Sequence, residues 1–70
     1  MDIHVRIKFE CHKQEVEKFS EGRYMVYILS EESEADAMDE ALALLSKKLG
    51  VPLSQFELKQ DRGKDKIFVI

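Results

Sequence analysis

The chain has no tryptophan, one cysteine, one proline and three glycines in 70 residues. Each scarcity excludes something. A lone Cys11 cannot form an internal disulfide, and it suits a reducing compartment. Gly22, Gly50 and Gly63 stand apart, so no glycine-rich phosphate loop is present. No apolar run approaches the roughly 18 residues of a membrane span. The chain opens at once on a polar–apolar alternation rather than an apolar leader, so a cytoplasmic location is expected. Soft metal ligands are limited to His4, Cys11 and His12, too few for a four-ligand zinc site. Cys11 and His12 are adjacent, and on a strand they would point to opposite faces, which leaves the thiol without a base. No metal, no cofactor and no catalytic group are expected.

What is present reads as one small domain over residues 1–70. A chain of this length buries only about 60% of its unfolded surface, so its stability is expected to be modest. The formal net charge is −3. Six acids and no base fall in residues 31–40 (Glu31, Glu32, Glu34, Asp36, Asp39, Glu40), and the other residues carry all eleven bases against eight acids. An acidic cluster ahead of a helix is what the helix macrodipole favours.

Ile3, Val5, Ile7 and Phe9 alternate with His4, Arg6, Lys8 and Glu10, the period-2 pattern of a half-buried strand. Cys11 to Ser20 is charged; Val16 and Phe19 fit either one helical turn or, at Phe19, the start of a hairpin. Ser20-Glu21-Gly22-Arg23 reads as a tight turn. Tyr24 to Leu29 is a second strand that is apolar on both parities, which predicts a central strand or a second buried surface. Ala35, Met38, Leu42, Leu45 and Leu49 mark a helix beginning near Ser33, with Ser30 or Ser33 as its cap and Gly50 and Pro52 as its stop. Phe56 to Lys59 and Ile67 to Ile70 are two further strands about a turn at Asp61–Lys64, with Lys64 and Lys66 protecting an edge. The expected fold is α+β in two layers, β-β-α-β-β. A four-stranded, mainly antiparallel or mixed sheet carries one main helix on one face.

Over nearly its whole length this pattern resembles the YggU-like family of small bacterial and archaeal proteins of unknown function. The likeness rests on Ile3-His4-Val5-Arg6-Ile7-Lys8, Gly22-Arg23-Tyr24-Met25-Val26-Tyr27, Leu44 to Pro52, Phe56-Glu57-Leu58 and Asp65 to Ile70. The resemblance implies the same two-layer scaffold. The chain departs from the family in its polar signature. Phe9 stands in place of a proline, and Ala35-Asp36-Ala37-Met38 in place of Gly-Lys-Ala-Asn. Asp61 and Lys64 replace a glycine and an arginine, and the family's closing helix has no counterpart in these residues.

Three groups of residues are candidates for contact with a partner. His4, Arg6 and Lys8 share one strand face at about 7 Å spacing; with Tyr27 beside them they would suit single-stranded RNA. Met25, Tyr27 and Leu29 would lie on the sheet face the helix leaves bare, where a protein partner or second copy would sit. Glu32, Asp36 and Glu40 would share one helix face at i, i+4 and i+8 as an acidic edge. The leading expectation is a non-enzymatic protein-interaction module using the open sheet face or the acidic helix edge. An RNA-binding accessory domain is the first alternative, and net acidity opposes it. An enzyme is the second, and it lacks a recognisable constellation.

Overall fold

The computed structural model describes residues 1–70. In chain order the elements are β1 (Asp2–Lys8), β2 (Glu15–Ser20), β3 (Arg23–Tyr27), α1 (Ala37–Leu49), a short 3-10 turn (Leu53–Gln55), β4 (Glu57–Arg62) and β5 (Asp65–Val69). The α+β class with one helix on a mixed sheet is as expected. The sheet has five strands rather than four, in the order β2-β3-β1-β5-β4. The added strand is β2, from the segment whose charge concealed it. Only Val16 of β2 is even half buried, so the segment has almost no apolar alternation to read.

The centre of the sheet is β1, not the doubly apolar strand. β1 runs parallel to β3 and antiparallel to β5. Ile3, Val5 and Ile7 are at most 2% exposed and form the middle of the core with Tyr24, Val26, Ile28 and Phe68. β1 ends at Lys8, before the Phe9 and Glu10 that its alternation includes. Phe9 packs beside the core outside the strand, and Glu10 turns the chain with a left-handed φ of 54°.

The helix starts later than its acidic run suggested. Residues 31–36 form turns, Asp36 is the N-cap without a side-chain hydrogen bond, and neither Ser30 nor Ser33 caps. The face that meets the sheet is also rotated from the expected stripe. Its buried line is Ala37, Ala41 and Leu45, with Met38, Leu42, Leu44 and Leu49 along its flanks and Ala35 exposed outside the helix. The helix ends as expected: Gly50 has φ 68°, and its N–H donates to the Ser46 carbonyl.

α1 lies over β2 and β3. Phe56, just before β4, packs against the core and meets Phe68 of β5 edge-on at 6.1 Å. Leu53 and Leu58 remain 54% and 45% exposed. Lys66 does not protect an edge. β5 is an inner strand, and Lys66 lies on its core-facing side, 8% exposed and paired with Asp61. The turn between β4 and β5 is two residues, Gly63-Lys64, so Asp61 and Arg62 belong to the strand. Gly63 takes the φ of 72° that such a hairpin turn asks of a glycine.

Candidate interaction surface on the open sheet face

One face of the sheet packs under α1; the other carries no element of this chain. Strand register fixes which side chains share that open face, because neighbours across a ladder point the same way. Four rows cross it, one of them Glu57, Val69 and Asp2 at the end of the sheet away from Lys8, and the other three bear on the candidate residues. Of those three, the first is Arg62, Asp65, Arg6, Met25 and Glu17; the second is Gln60, Ile67, His4, Arg23 and Ser20; the third is Lys8, Tyr27 and Glu15. His4, Arg6 and Lys8 share that face, as the alternation of β1 implies, and the parallel pairing of β1 with β3 sets Met25 and Tyr27 beside them. Leu29 is not among them. β3 stops at Tyr27, and Leu29 lies beyond it, 52% exposed, with its N–H donating to Glu40.

A groove of about 550 Å³ runs along the first two rows. Met25, Ile67 and Phe19 give it an apolar floor and edge; Phe19, at a bulge in β2, is 61% exposed. His4, Arg6, Arg23 and Arg62 surround that apolar strip, and Asp65 is the only carboxylate lining it. Arg6 donates to both oxygens of Asp65, at 2.8 and 3.3 Å. That bond, with the nearby charges of Arg6, Arg62 and Lys64, holds the Asp65 carboxyl below the usual carboxylate range. The same bond raises the Arg6 pKa. Arg23 and Arg62 have no acidic partner within 4.0 Å. With the Gln60 amide oriented so that its oxygen faces Arg62, that neutral oxygen accepts from Arg62 Nε and Nη2 at 2.6 and 2.7 Å.

Tyr27 is less available than its place on the face implies. Lys13 Nζ sits 4.5 Å over the ring centroid, a cation–π contact, and the hydroxyl donates to Glu17 at 3.2 Å. Burial, then Glu17, raises its pKa.

The acidic residues do not form the expected helix edge. Glu32 and Asp36 precede the first turn of α1, so the i, i+4, i+8 spacing has no helix beneath it. Glu40 turns inward. Its carboxylate accepts from Gln14 Nε2 and the Leu29 amide at 2.8 Å, the Ser30 amide at 3.3 Å and the Ser30 hydroxyl at 2.5 Å. Loss of water around Glu40 acts to raise its pKa, and the four bonds overcome this and lower it to about 2. Glu31, Glu32, Glu34, Asp36 and Asp39 make no ion pair within the chain.

Cys11 and His12 fall in the β1–β2 connection, where the thiol donates to the Lys8 carbonyl at 3.3 Å. No three His, Cys, Asp or Glu side chains converge in a way that could hold a metal ion. No helix is long and apolar enough to cross a membrane.

Sequence reasoning missed Phe19, Arg23, Gln60, Arg62, Asp65 and Ile67 as groove residues. A signal existed for the last two: extending the final strand back from Ile67 by its own alternation puts Asp65, Ile67 and Val69 on one side. Arg62 was hidden by a four-residue turn reading. Arg23 was hidden because one strand does not reveal which residues of another lie beside it. No protein-family model matches the chain, and no curated protein or solved structure is significantly similar to it.

Proposed function

We propose that this protein is a cytoplasmic, non-enzymatic interaction module whose open sheet face binds an extended, acidic segment of a partner protein. The observation that carries this reading is the groove strip of half-buried Met25 and Ile67 with exposed Phe19, bordered by Arg6, Arg23 and Arg62. Methionine, aromatic residues and arginine are the types enriched at protein interfaces. An apolar strip edged by cations is complementary to a segment that alternates apolar and acidic side chains. Strand addition at the sheet edges is disfavoured, because β2 and β4 each carry a register break that twists the edge away.

The acidic residues are the weaker surface, since Glu40 spends its oxygens on Gln14, Leu29 and Ser30. RNA is also the weaker ligand. Tyr27 has one ring face under Lys13 and its hydroxyl on Glu17, which removes the clearest stacking platform on the face. The resemblance to the YggU-like family adds a scaffold of unknown function, so the reading rests on the face itself.

The test is an amide-resolved NMR titration with a blocked pentapeptide of alternating glutamate and leucine, set beside a short single-stranded RNA. The expected result is peptide-induced shifts at His4, Arg6, Arg23, Met25 and Ile67, abolished by Met25→Asp in a protein that still folds. Shifts confined to residues 31–40, or no shifts at all, would overturn the reading. RNA shifts across His4, Arg6 and Lys8 that exceed those of the peptide would move the assignment to nucleic acid.

A further inference from the structure

We infer that the groove contains an oxyanion subsite made by Arg6, Arg23 and Arg62, in which Asp65 is a resident counter-anion that a ligand carboxylate displaces. The inference rests on the docking reading above for its ligand class, a carboxylate-bearing protein segment.

The arrangement follows from register. Asp65 lies on β5 with Arg6 opposite on β1 and Arg62 opposite on β4. Adjacent strands are about 4.8 Å apart, so the two arginines start about 10 Å from each other with β5 between them. An extended arginine side chain covers more than half that distance, and both guanidinium groups can reach one point above β5. Arg23 enters from the other side, one row along, beside His4. The groove is therefore lined by three arginines and one carboxylate, and of the three only Arg6 is bonded to that carboxylate.

The charges are unevenly matched. Arg6 is satisfied by Asp65 in a two-pronged bond, the geometry a guanidinium offers any carboxylate. Arg62 has only the neutral Gln60 amide, and Arg23 has no acidic partner. Both members of the Arg6–Asp65 pair are more than half exposed, at 61% and 54%. An exposed pair is weakly held and exchanges readily for a better-placed anion. A ligand carboxylate entering above Ile67 meets Arg62 and Arg23 unopposed and competes with Asp65 for Arg6. Asp65 thus sets a threshold: a weak or singly placed anion meets its repulsion, and a segment whose apolar groups also fill the Met25–Phe19 strip overcomes it.

The experiment measures affinity for the glutamate–leucine pentapeptide in the parent, Asp65→Asn and Arg62→Gln proteins, and follows the arginine Nε–Hε resonances. A second peptide replaces every glutamate with glutamine. The expected result is that Asp65→Asn tightens binding about fivefold, one kcal/mol or so of removed competition, and that Arg62→Gln weakens it. The Arg6 and Arg62 resonances should move on binding. Thermal unfolding of each variant checks that it folds, and Asp65→Ser serves as a second neutral replacement. Equal or weaker binding by both neutral variants at position 65 overturns the inference. If the glutamine peptide binds as well as the acidic one, the subsite is refuted and the docking reading stands. If neither peptide binds any of the proteins, both fall.

Discussion

The carboxylate of Glu40, in the first turn of α1, accepts the Ser30 hydroxyl at 2.5 Å, and so fixes the helix to the connection that follows β3. Its bonds to the Leu29 and Ser30 amides and to Gln14 extend that hold to the β1–β2 connection. One side chain thus ties the helix to two connections that backbone bonds from Cys11 to Ile28 and from Glu10 to Ser30 already hold together.

Glu40→Gln is expected to destabilise the protein by about 2 kcal/mol at neutral pH, the worth of hydrogen bonds to a charged acceptor. The pH dependence has a definite sign. The folded pKa of about 2 lies below the ordinary 4.5, so the carboxylate's contribution is complete above about 4.5 and is lost as pH falls toward 2. Denaturant unfolding from pH 7 to pH 2 should show the gap between parent and variant constant above pH 5 and closing below pH 4. A gap that persists unchanged to pH 2 would show that the charge of Glu40 is not what matters.

Lys66 offers a contrast. Its ammonium reaches Asp61 Oδ1 at 2.6 Å from the core-facing side of β5, and its own side chain is 9% exposed while that of Asp61 is 45% exposed. Removing the acid leaves a nearly buried cation alone; removing the cation leaves an acid that faces water. Asp61→Ala should therefore lower the melting temperature more than Lys66→Met, although both break the same pair. The reverse order would mean that the lysine stem, not its charge, is what the site needs.

How much of this could be read from the sequence follows from where the signal lies. Strong alternation placed β1, and the Gly50–Pro52 stop placed the end of α1. Those are local features, set by the period of side chains and by backbone geometry at one residue. β2 was not legible, because Glu15, Glu17 and Lys18 carry charge through both parities and Phe19 sits at a bulge. The helix start was misplaced for a related reason. The acids at 31–36 satisfy the macrodipole rule as well outside the helix as within it, and Glu34 folds back on the Glu31 amide in a turn of its own. The candidate face was half legible. His4, Arg6 and Lys8 follow from one strand; Arg23, Arg62 and Asp65 require knowing that β1 lies between β3 and β5, a pairing no local pattern encodes.

The alanines of α1 make a packing prediction. Ala41 is 1% exposed and Leu45 is not exposed at all, so the helix meets the sheet across a small residue and a large one in consecutive turns. Ala41→Leu should overpack that contact and cost about 1–3 kcal/mol. Leu45→Ala should leave a cavity and cost about 2–5 kcal/mol. Surface Ala43, which lies on the far side of the same helix, should accept leucine with little change. Chemical denaturation of the three variants checks the ranking; comparable losses at positions 41 and 43 would refute the placement of the helix.

Tyr27 allows the state of the open face to be followed without a ligand. Burial acts first to raise its phenol pKa above the ordinary 10, and the Glu17 carboxylate beside the hydroxyl raises it further, while Lys13 over the ring opposes both. Removing the acid should therefore lower the Tyr27 pKa, and removing the cation should raise it. An NMR pH titration of the Tyr27 ring resonances in Glu17→Gln and Lys13→Met reads each change separately. Opposite shifts in the two variants would place both side chains against the ring in solution, the arrangement that closes Tyr27 to a stacked base and leaves the arginine-edged strip as the accessible part of the face. Identical titrations in parent and variants would mean that the ring is free, and would return nucleic acid to contention.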